Sequence, residues 1–246
     1  MHKFSSNTEL ELLLLAFGTF YNEFRFIMYV ILTVMILITE QLLTKLAHLC
    51  PKIVRVYGEM QENLDFPIPR DLLKPSKQKQ KKEKFLQDIS LHFLIRQGGK
   101  PYSEKILQYD DLFAMNQETQ ENVTDDELKK YHKLISKASS EELKNYDIVL
   151  CTCSGSSSKR MKRGTNIAQI IIDECGMCME PEALIPLVTF GSAKRVVLIG
   201  DHKQLQPIVI NRDAKSLGLE ISLFERYADK AYMLDTQYRM VCCSLY

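Results

Sequence analysis

The sequence predicts an α/β protein built on a doubly wound parallel sheet, with a mainly helical insert in the chain. Three short runs, within 147–153, 169–174 and 195–201, are apolar throughout rather than alternating. Strands of this kind are typical of sheets that helices cover on both faces. Helices predicted at 182–190 and 219–227 accompany them, and a parallel sheet is the natural arrangement for such an order. A further strand is predicted at 231–235.

The composition is that of an ordinary globular protein. The 246 residues are 46% hydrophobic and 26% charged, which is enough chain for one large domain or two small ones. The formal net charge of +1 does not indicate a nucleic-acid partner, so any basic surface must be local. The seven cysteines lack the spacings of a disulfide framework and indicate free thiols in a reducing compartment, the cytosol or the nucleus.

Residues 1–38 form an apolar segment whose origin the sequence leaves open. Its two strongly apolar runs, at 12–17 and 26–38, are separated by Glu23 and Arg25. Neither run reaches the roughly 20 apolar residues that a membrane-spanning helix needs, so a membrane is not the expected partner. Three interpretations stay open: a membrane segment, a buried strand or helix, and a start that is not native to the protein, because the composition changes abruptly at about Thr39.

The rest of the chain divides into an α/β part and an insert. Residues 39–65 and 146–246 are predicted to form an incomplete α/β domain, which begins with a helix at 39–46 and a strand at 52–58. Residues 66–145 form the insert, in which Asp125 opens the clearest helix. Its lysine-rich loop at 74–84 is interpreted as a solvated loop, a nuclear-localisation patch or an arm that contacts phosphate.

Polar residues follow the predicted strands at the edge where open parallel sheets bind ligands. In chain order they are Asp173 and Glu174, then Gly200, Asp201 and Gln204, then Tyr238 and Arg239. One acid at a strand end can hold a magnesium ion while its neighbour orients or deprotonates an attacking water. An acidic pair alone is a weak signal, because such pairs also end strands that have no catalytic role. The order and spacing of all three groups are the stronger signal.

These three groups resemble motifs II, III and IV of superfamily-1 helicases, and they are most similar to those of the Upf-like RNA helicases. The resemblance extends upstream, where 52–69 is similar to the segment after motif Ia, 88–92 to the inserted region and 147–158 to motif Ic. It covers about 40–240. It implies a RecA-like first motor domain that couples ATP hydrolysis to translocation on single-stranded RNA or DNA. The Walker B motif is of the DEAG type, with Cys175 where the group has alanine.

The resemblance also implies a role for each residue of the nucleotide site. The implied catalytic residues are Glu174, Gln204 and Arg239. The residues implied to bind the cofactors, ATP and Mg²⁺, are Asp173, Gly200, Asp201 and Tyr238. Asp173 would hold magnesium, Glu174 would activate water and Gln204 would sense the γ-phosphate. A guanidinium group suits phosphoryl charge and a phenol ring suits stacking on the base, which are the implied roles of Arg239 and Tyr238.

Thr152 and Ser154 are the candidate nucleic-acid-binding residues. They lie in a Ser/Gly-rich turn after an apolar run, and the resemblance to motif Ic implies that they lie near the nucleic-acid backbone. Ordinary turn chemistry explains both residues equally well. The sequence alone does not decide between a nucleic-acid contact and an ordinary turn.

The sequence departs from the helicase pattern in its phosphate-binding loop. No G-x-x-x-x-G-K-S/T pattern, the Walker A loop, occurs in the 246 residues. Gly98-Gly99-Lys100 is followed by Pro101 and is predicted to be a turn. Because a second motor domain is missing too, we expect this chain to be a truncated motor that is inactive alone. The alternatives are a non-catalytic nucleic-acid- or protein-binding module and a membrane-tethered fragment.

Two cysteine pairs offer a further alternative, a zinc site. Cys151 and Cys153 follow one predicted strand, and Cys175 and Cys178 follow another. Structural zinc sites are usually built on separate knuckles rather than on an apolar strand. Buried thiols are therefore the preferred interpretation.

Overall fold

One parallel sheet organises the domain. The computed structural model describes residues 28–32, 52–69, 84–119 and 123–233, with the backbone alone for 28–32, 84–86 and 116–119. The strands are β1 Met28–Leu32, β2 Ile53–Arg55, β3 Ile148–Cys151, β4 Ile167–Ile172 and β5 Arg195–Leu198. They lie side by side in the order β2-β3-β1-β4-β5, and every pair is parallel. The predicted RecA-like α/β fold class is confirmed.

Nine helices occur in the described ranges. They are α1 Glu59–Asp65, α2 Lys84–Ile89, α3 Leu91–Leu94, α4 Ser103–Thr119, α5 Asp125–Leu143, α6 Lys159–Gly164, α7 Glu180–Thr189, α8 Arg212–Ser216 and α9 Leu223–Arg226. The helix predicted at 182–190 is confirmed by α7. The helix predicted at 219–227 is shorter than expected, because Ser222 caps the N-terminus of α9 by accepting a hydrogen bond from the Glu225 amide.

Strands β3 and β4 are buried, and β5 at one end of the sheet is partly exposed. Every residue of β3 is buried, and so is all of β4 except Ala168. In β5, by contrast, the side chain of Val196 is 46% exposed. The expectation that all apolar runs are covered on both faces is therefore wrong for β5. The other end strand, β2, is buried at Val54 and Arg55, so this exposure is particular to β5.

The strand at the centre of the sheet comes from the first 38 residues. β1 pairs with β3 through Tyr29↔Ile148 and with β4 through Ile31↔Ile171. Among the interpretations left open for this segment, a strand is the one that matches this pairing. Residues 1–27 and 33–51, including the helix predicted at 39–46, lie outside the described residues. In the part of the chain that the structure covers, no helix has the length and apolar character to cross a membrane.

The helical insert packs against the sheet and also has a small core of its own. Leu91, Ala138 and Leu143 join the same apolar cluster as Val149 of β3. A separate cluster forms inside the insert around Phe113, Val123 and Tyr131. The described portion of 66–145 contains no strand, and its one backbone bridge to a sheet strand joins Ser90 to Arg55. Of the lysine-rich loop at 74–84, the structure describes only the backbone of Lys84.

The strand predicted at 231–235 is not formed in its described part. Residues 231–233 have no regular structure, and the side chains of Tyr232 and Met233 are 89% and 71% exposed. An apolar run becomes a strand only where a neighbouring strand can take its backbone hydrogen bonds. The prediction is wrong for these three residues, and 234–235 lie outside the described residues.

Candidate nucleotide edge and nucleic-acid interface

The acidic pair Asp173 and Glu174 lies at the carboxyl edge of the sheet, directly after β4. Asp173 follows the last strand residue, and its exposed fraction is 0%. Glu174 comes next, half-buried, with a backbone φ of 54°. This left-handed conformation costs a non-glycine residue about 1–3 kcal/mol, and it persists only where the surroundings impose it. The chain turns sharply here, and the Cys175 amide donates a 2.8 Å hydrogen bond to the Ile199 carbonyl oxygen.

Two glycines let the turn after β4 touch the turn after β5. A Cβ atom on Gly200 would lie 2.7 Å from the backbone nitrogen of Gly176, and a Cβ atom on Gly176 would lie 2.9 Å from the Asp201 carbonyl oxygen. Both distances are shorter than van der Waals contact allows, so only glycine fits at either position. The two turns are therefore in direct backbone contact, which brings the neighbourhood of Glu174 and that of Asp201 to one edge.

A hydrogen-bonded turn follows Gly200. The Asp201 carboxylate accepts 2.9 Å hydrogen bonds from the Lys203 backbone amide and from the Gln204 side-chain amide. Burial alone would raise the pKa of Asp201, but these hydrogen bonds lower it overall. Asp201 is thus held as a carboxylate, and it fixes the position of the exposed Gln204 side chain.

The turn after β3 presents hydroxyl groups to solvent. Thr152 and Ser154 are both exposed, and their hydroxyl oxygens lie 3.2 Å apart. The Thr152 hydroxyl oxygen accepts a 3.1 Å hydrogen bond from the Gly155 amide, which is ordinary turn chemistry. The structure therefore contains the hydrogen bonds of an ordinary turn. Because both side chains are exposed, their hydroxyl groups are also accessible to a ligand.

Comparison with known proteins places this fold in a family. The family model described as "AAA domain" matches residues 38–212, which is most of the chain. The chain belongs to the AAA domain family. The matched region of this AAA domain includes β2 to β5, both turns at the sheet edge and the Thr152–Ser154 turn. It begins after β1, so the central strand lies outside the match.

The relatives of this AAA domain include helicases. The human protein named 3'-5' exoribonuclease HELZ2 is 44% identical over 77% of this chain and 6% of its own length. The ATP-dependent helicase NAM7 of Saccharomyces cerevisiae is 36% identical over 82% of this chain and 18% of its length. The regulator of nonsense transcripts 1 homolog of Drosophila melanogaster is 33% identical over 82% of this chain and 15% of its length. The resemblance to Upf-like superfamily-1 helicases is confirmed, and the chain spans less than a fifth of these relatives.

Part of the predicted nucleotide site lies beyond the described residues. Tyr238 and Arg239 follow both the last described residue and the end of the family match. Their roles remain predictions from the resemblance.

The donor set at the sheet edge fits magnesium and ATP only in part. Asp173 and Glu174 carry carboxylate oxygens, the donors that Mg²⁺ prefers, but among the described residues they do not form a three-ligand group with Asp201. Gly98-Gly99-Lys100 does not provide the lysine that would bind the ATP phosphates. The Lys100 ammonium instead lies 2.7 Å from the Glu142 carboxylate in the helical insert. The prediction that this segment is a turn is confirmed.

The four described cysteines are buried free thiols. Burial raises the pKa of Cys151 and of Cys175 to about 12, which keeps both protonated at neutral pH. Contact with Cys153 and burial also raise the pKa of Cys178. Among the residues with described side chains, no group of three or more Cys, His, Asp or Glu has the arrangement of a metal site. Protonated, shielded thiols are poor nucleophiles and poor metal ligands.

The sequence interpretation overlooked the helix that follows the Thr152–Ser154 turn. Four of the six residues of α6 are basic, and Arg160 among them is half-buried. Its guanidinium donates to the Glu62 carboxylate at 2.8 Å and to the Tyr57 carbonyl oxygen at 2.6 Å. The spacing of the basic residues was readable in the sequence, but the partners of Arg160 lie about a hundred positions upstream and could not be predicted from a local pattern.

Proposed function

We propose that this AAA domain is the helicase-type domain of a nucleic-acid-dependent ATPase. ATP and Mg²⁺ would bind at the carboxyl edge of β4 and β5, and single-stranded RNA or DNA at the turn after β3. The observation that carries this proposal is the backbone contact between Gly176 and Gly200, which joins the turn of the acidic pair to the turn of Gln204. The family match and the relative named an ATP-dependent helicase support the same assignment.

The chemistry assigned to the edge follows from the residue types. Asp173 would hold Mg²⁺, which when bound would supply charge stabilisation to the phosphates. Glu174 takes the proton from the attacking water. Gln204, held by Asp201, orients that water and responds to the γ-phosphate. Gly200 allows the close approach of the two turns.

Two further residues complete the nucleotide site in this proposal. Arg239 neutralises charge on the γ-phosphate, and Tyr238 stacks on the base. In the complete protein, hydrolysis would be coupled to translocation along the nucleic acid. The cytosol or the nucleus is the proposed location, on the basis of the free buried thiols.

A second candidate function is a non-catalytic nucleic-acid-binding module. It is favoured by one specific observation, the lack of G-x-x-x-x-G-K-S/T in the 246 residues. Loop amides and a lysine normally cradle the β- and γ-phosphates. Losing one such electrostatic element slows a reaction by on the order of a hundredfold or more. We therefore expect this chain alone to bind nucleic acid and to hydrolyse ATP slowly.

Phosphate release and ligand binding by the purified chain test these assignments. We expect phosphate release in the presence of single-stranded RNA to be no faster for the wild type than for Glu174→Gln, with equal RNA binding by both. Binding of a fluorescent ATP analogue should require Mg²⁺ and weaken in Asp173→Asn.

Separate results would contradict the expected inactivity, the nucleotide site and the nucleic-acid site. Robust release that Glu174→Gln abolishes would contradict the expected inactivity and identify an unrecognised phosphate loop. Nucleotide binding that is indifferent to both Mg²⁺ and Asp173→Asn would contradict the nucleotide site. A chain that binds neither RNA nor DNA would contradict the nucleic-acid site.

A further inference from the structure

Helix α6 has one basic face and one buried face. Lys159, Lys162 and Arg163 are exposed, whereas Met161 and Gly164 are buried. At 3.6 residues per turn, positions i, i+3 and i+4 fall within an arc of about 100°. The three exposed cations therefore project from one side of the helix, and the buried residues occupy the opposite side.

The orientation of this helix is fixed by close packing and by one buried ion pair. A Cβ atom on Gly164 would lie 2.8 Å from the Ser140 carbonyl oxygen of α5, so the two backbones are in direct contact. On the side of α1, Arg160 is bound to Glu62 with both side chains largely shielded from solvent. The helix cannot rotate about its axis without breaking both contacts. Its basic face is thus held towards solvent.

In the part of the chain that the structure describes, no acid is paired with this face. The sequence from 148 to 172 contains four basic residues and no Asp or Glu. On the adjacent helix α5, Glu142 accepts hydrogen bonds from Lys100 and Tyr146, and Glu141 accepts one from Tyr102. Within the described ranges, the exposed cations of α6 form no ion pair. Three cations on one face without counter-charges favour an anionic partner.

We propose that Lys159, Lys162 and Arg163 bind the phosphate backbone of the single-stranded nucleic acid that passes Thr152 and Ser154. This inference rests on the proposed nucleic-acid site, because α6 begins five residues after Ser154, beyond a short 3-10 turn at Gly155–Ser157. The helix is roughly 9 Å long at 1.5 Å per residue, so its basic side chains lie along the stretch of chain that soon follows the exposed hydroxyls. Hydroxyls and basic side chains are the usual partners of phosphate oxygens, and such contacts position the strand without reading its sequence.

The size of the effect follows from counterion release. For single strands, each phosphate neutralised contributes about 0.7 to the slope of log affinity against log salt concentration. Three contacts therefore contribute a slope of about 2. At about 0.1 M salt this corresponds to roughly a hundredfold in affinity, and the contribution vanishes as the salt concentration approaches about 1 M.

The test compares two triple variants with the same change in charge. One combines Lys159→Gln, Lys162→Gln and Arg163→Gln on α6. The matched control replaces three exposed lysines of the helical insert, Lys105→Gln, Lys129→Gln and Lys133→Gln. Affinities for short oligouridylate RNA and oligothymidylate DNA are measured by fluorescence anisotropy over a series of salt concentrations, and unfolding curves confirm that each variant is folded.

The α6 variant should bind both oligonucleotides about a hundredfold more weakly at about 0.1 M salt, with a slope lower by about 2, while the control keeps most of its affinity. An equal loss in both variants, or no loss in the α6 variant, would overturn the inference and leave the proposed nucleic-acid site standing. A loss for RNA alone would overturn the assignment to phosphate. A wild-type chain that binds neither oligonucleotide would overturn the proposed site and this inference together.

Discussion

Replacing Gly200 with alanine is predicted to destabilise the domain by forcing two turns apart. The added Cβ atom would lie 2.7 Å from the Gly176 nitrogen and 3.1 Å from the Cys175 nitrogen. Both are backbone atoms, which cannot rotate away as the end of a side chain can. The turn after β4 and the turn after β5 must therefore separate.

The magnitude follows from two contributions. Overpacking of a close contact costs about 1–3 kcal/mol. Separation also weakens the hydrogen bond from the Cys175 amide to the Ile199 carbonyl oxygen, and such a bond contributes about 1 kcal/mol. We expect the free energy of unfolding to fall by roughly 2–4 kcal/mol in total.

Urea unfolding followed by circular dichroism measures this change. The control is Gly98→Ala, because a Cβ atom on Gly98 meets nothing within 4 Å. That variant should unfold within about 0.5 kcal/mol of the wild type. A Gly200→Ala variant as stable as Gly98→Ala would refute the conclusion that glycine is required where the two turns touch.

Three further changes are checked by the same unfolding curves. Arg160→Met should lower the free energy of unfolding by about 3–5 kcal/mol, because it leaves the Glu62 carboxylate buried without its cation; if adding Glu62→Gln restores none of the loss, the ion-pair explanation fails. Thr124→Ala should cost about 1 kcal/mol, because it removes the capping box of α5, and an unchanged free energy would count against that cap. The lowered pKa of Asp201 stabilises the folded state fully above the ordinary pKa of 3.8. The advantage of the wild type over Asp201→Asn should therefore shrink as the pH falls below 3.8 through the lowered pKa of the folded state, and a pH-independent difference would contradict this.

The buried strands and the main helices were predictable because their patterns are local. The run at 169–172 is apolar except for Gln169, and it forms most of β4, an inner strand of the sheet. The acids at 125–127 predicted the start of α5, where Glu127 takes part in the capping box. Each of these features depends on residues within a few positions of one another.

Features that depend on distant partners could not be predicted. The run at 26–38 is compatible with several structures, and its pairing with β3 and β4 decides that 28–32 is a strand. The run at 231–233 looks equally apolar, yet it pairs with no strand among the described residues.

The candidate site also contains features that the local sequence predicts and features that depend on distant contacts. Asp173 and Gly200 were predicted from the residues that follow apolar runs, because such residues meet at one edge of a parallel sheet. The contact between Gly176 and Gly200 joins turns that are more than twenty residues apart, so the sequence alone does not reveal it. The same holds for the ion pair between Arg160 and Glu62, which orients the basic face of α6.

Mapping the nucleic-acid contact tests the central claim most directly, namely that a single strand binds at the carboxyl end of β3. Single-stranded RNA containing a photoreactive uridine is crosslinked to the chain, and the attached peptides are identified by mass spectrometry. The account predicts attachment to the segment 152–163, which holds Thr152, Ser154 and the basic face of α6. Attachment confined to α4 and α5 of the helical insert, with none in this segment, would contradict it.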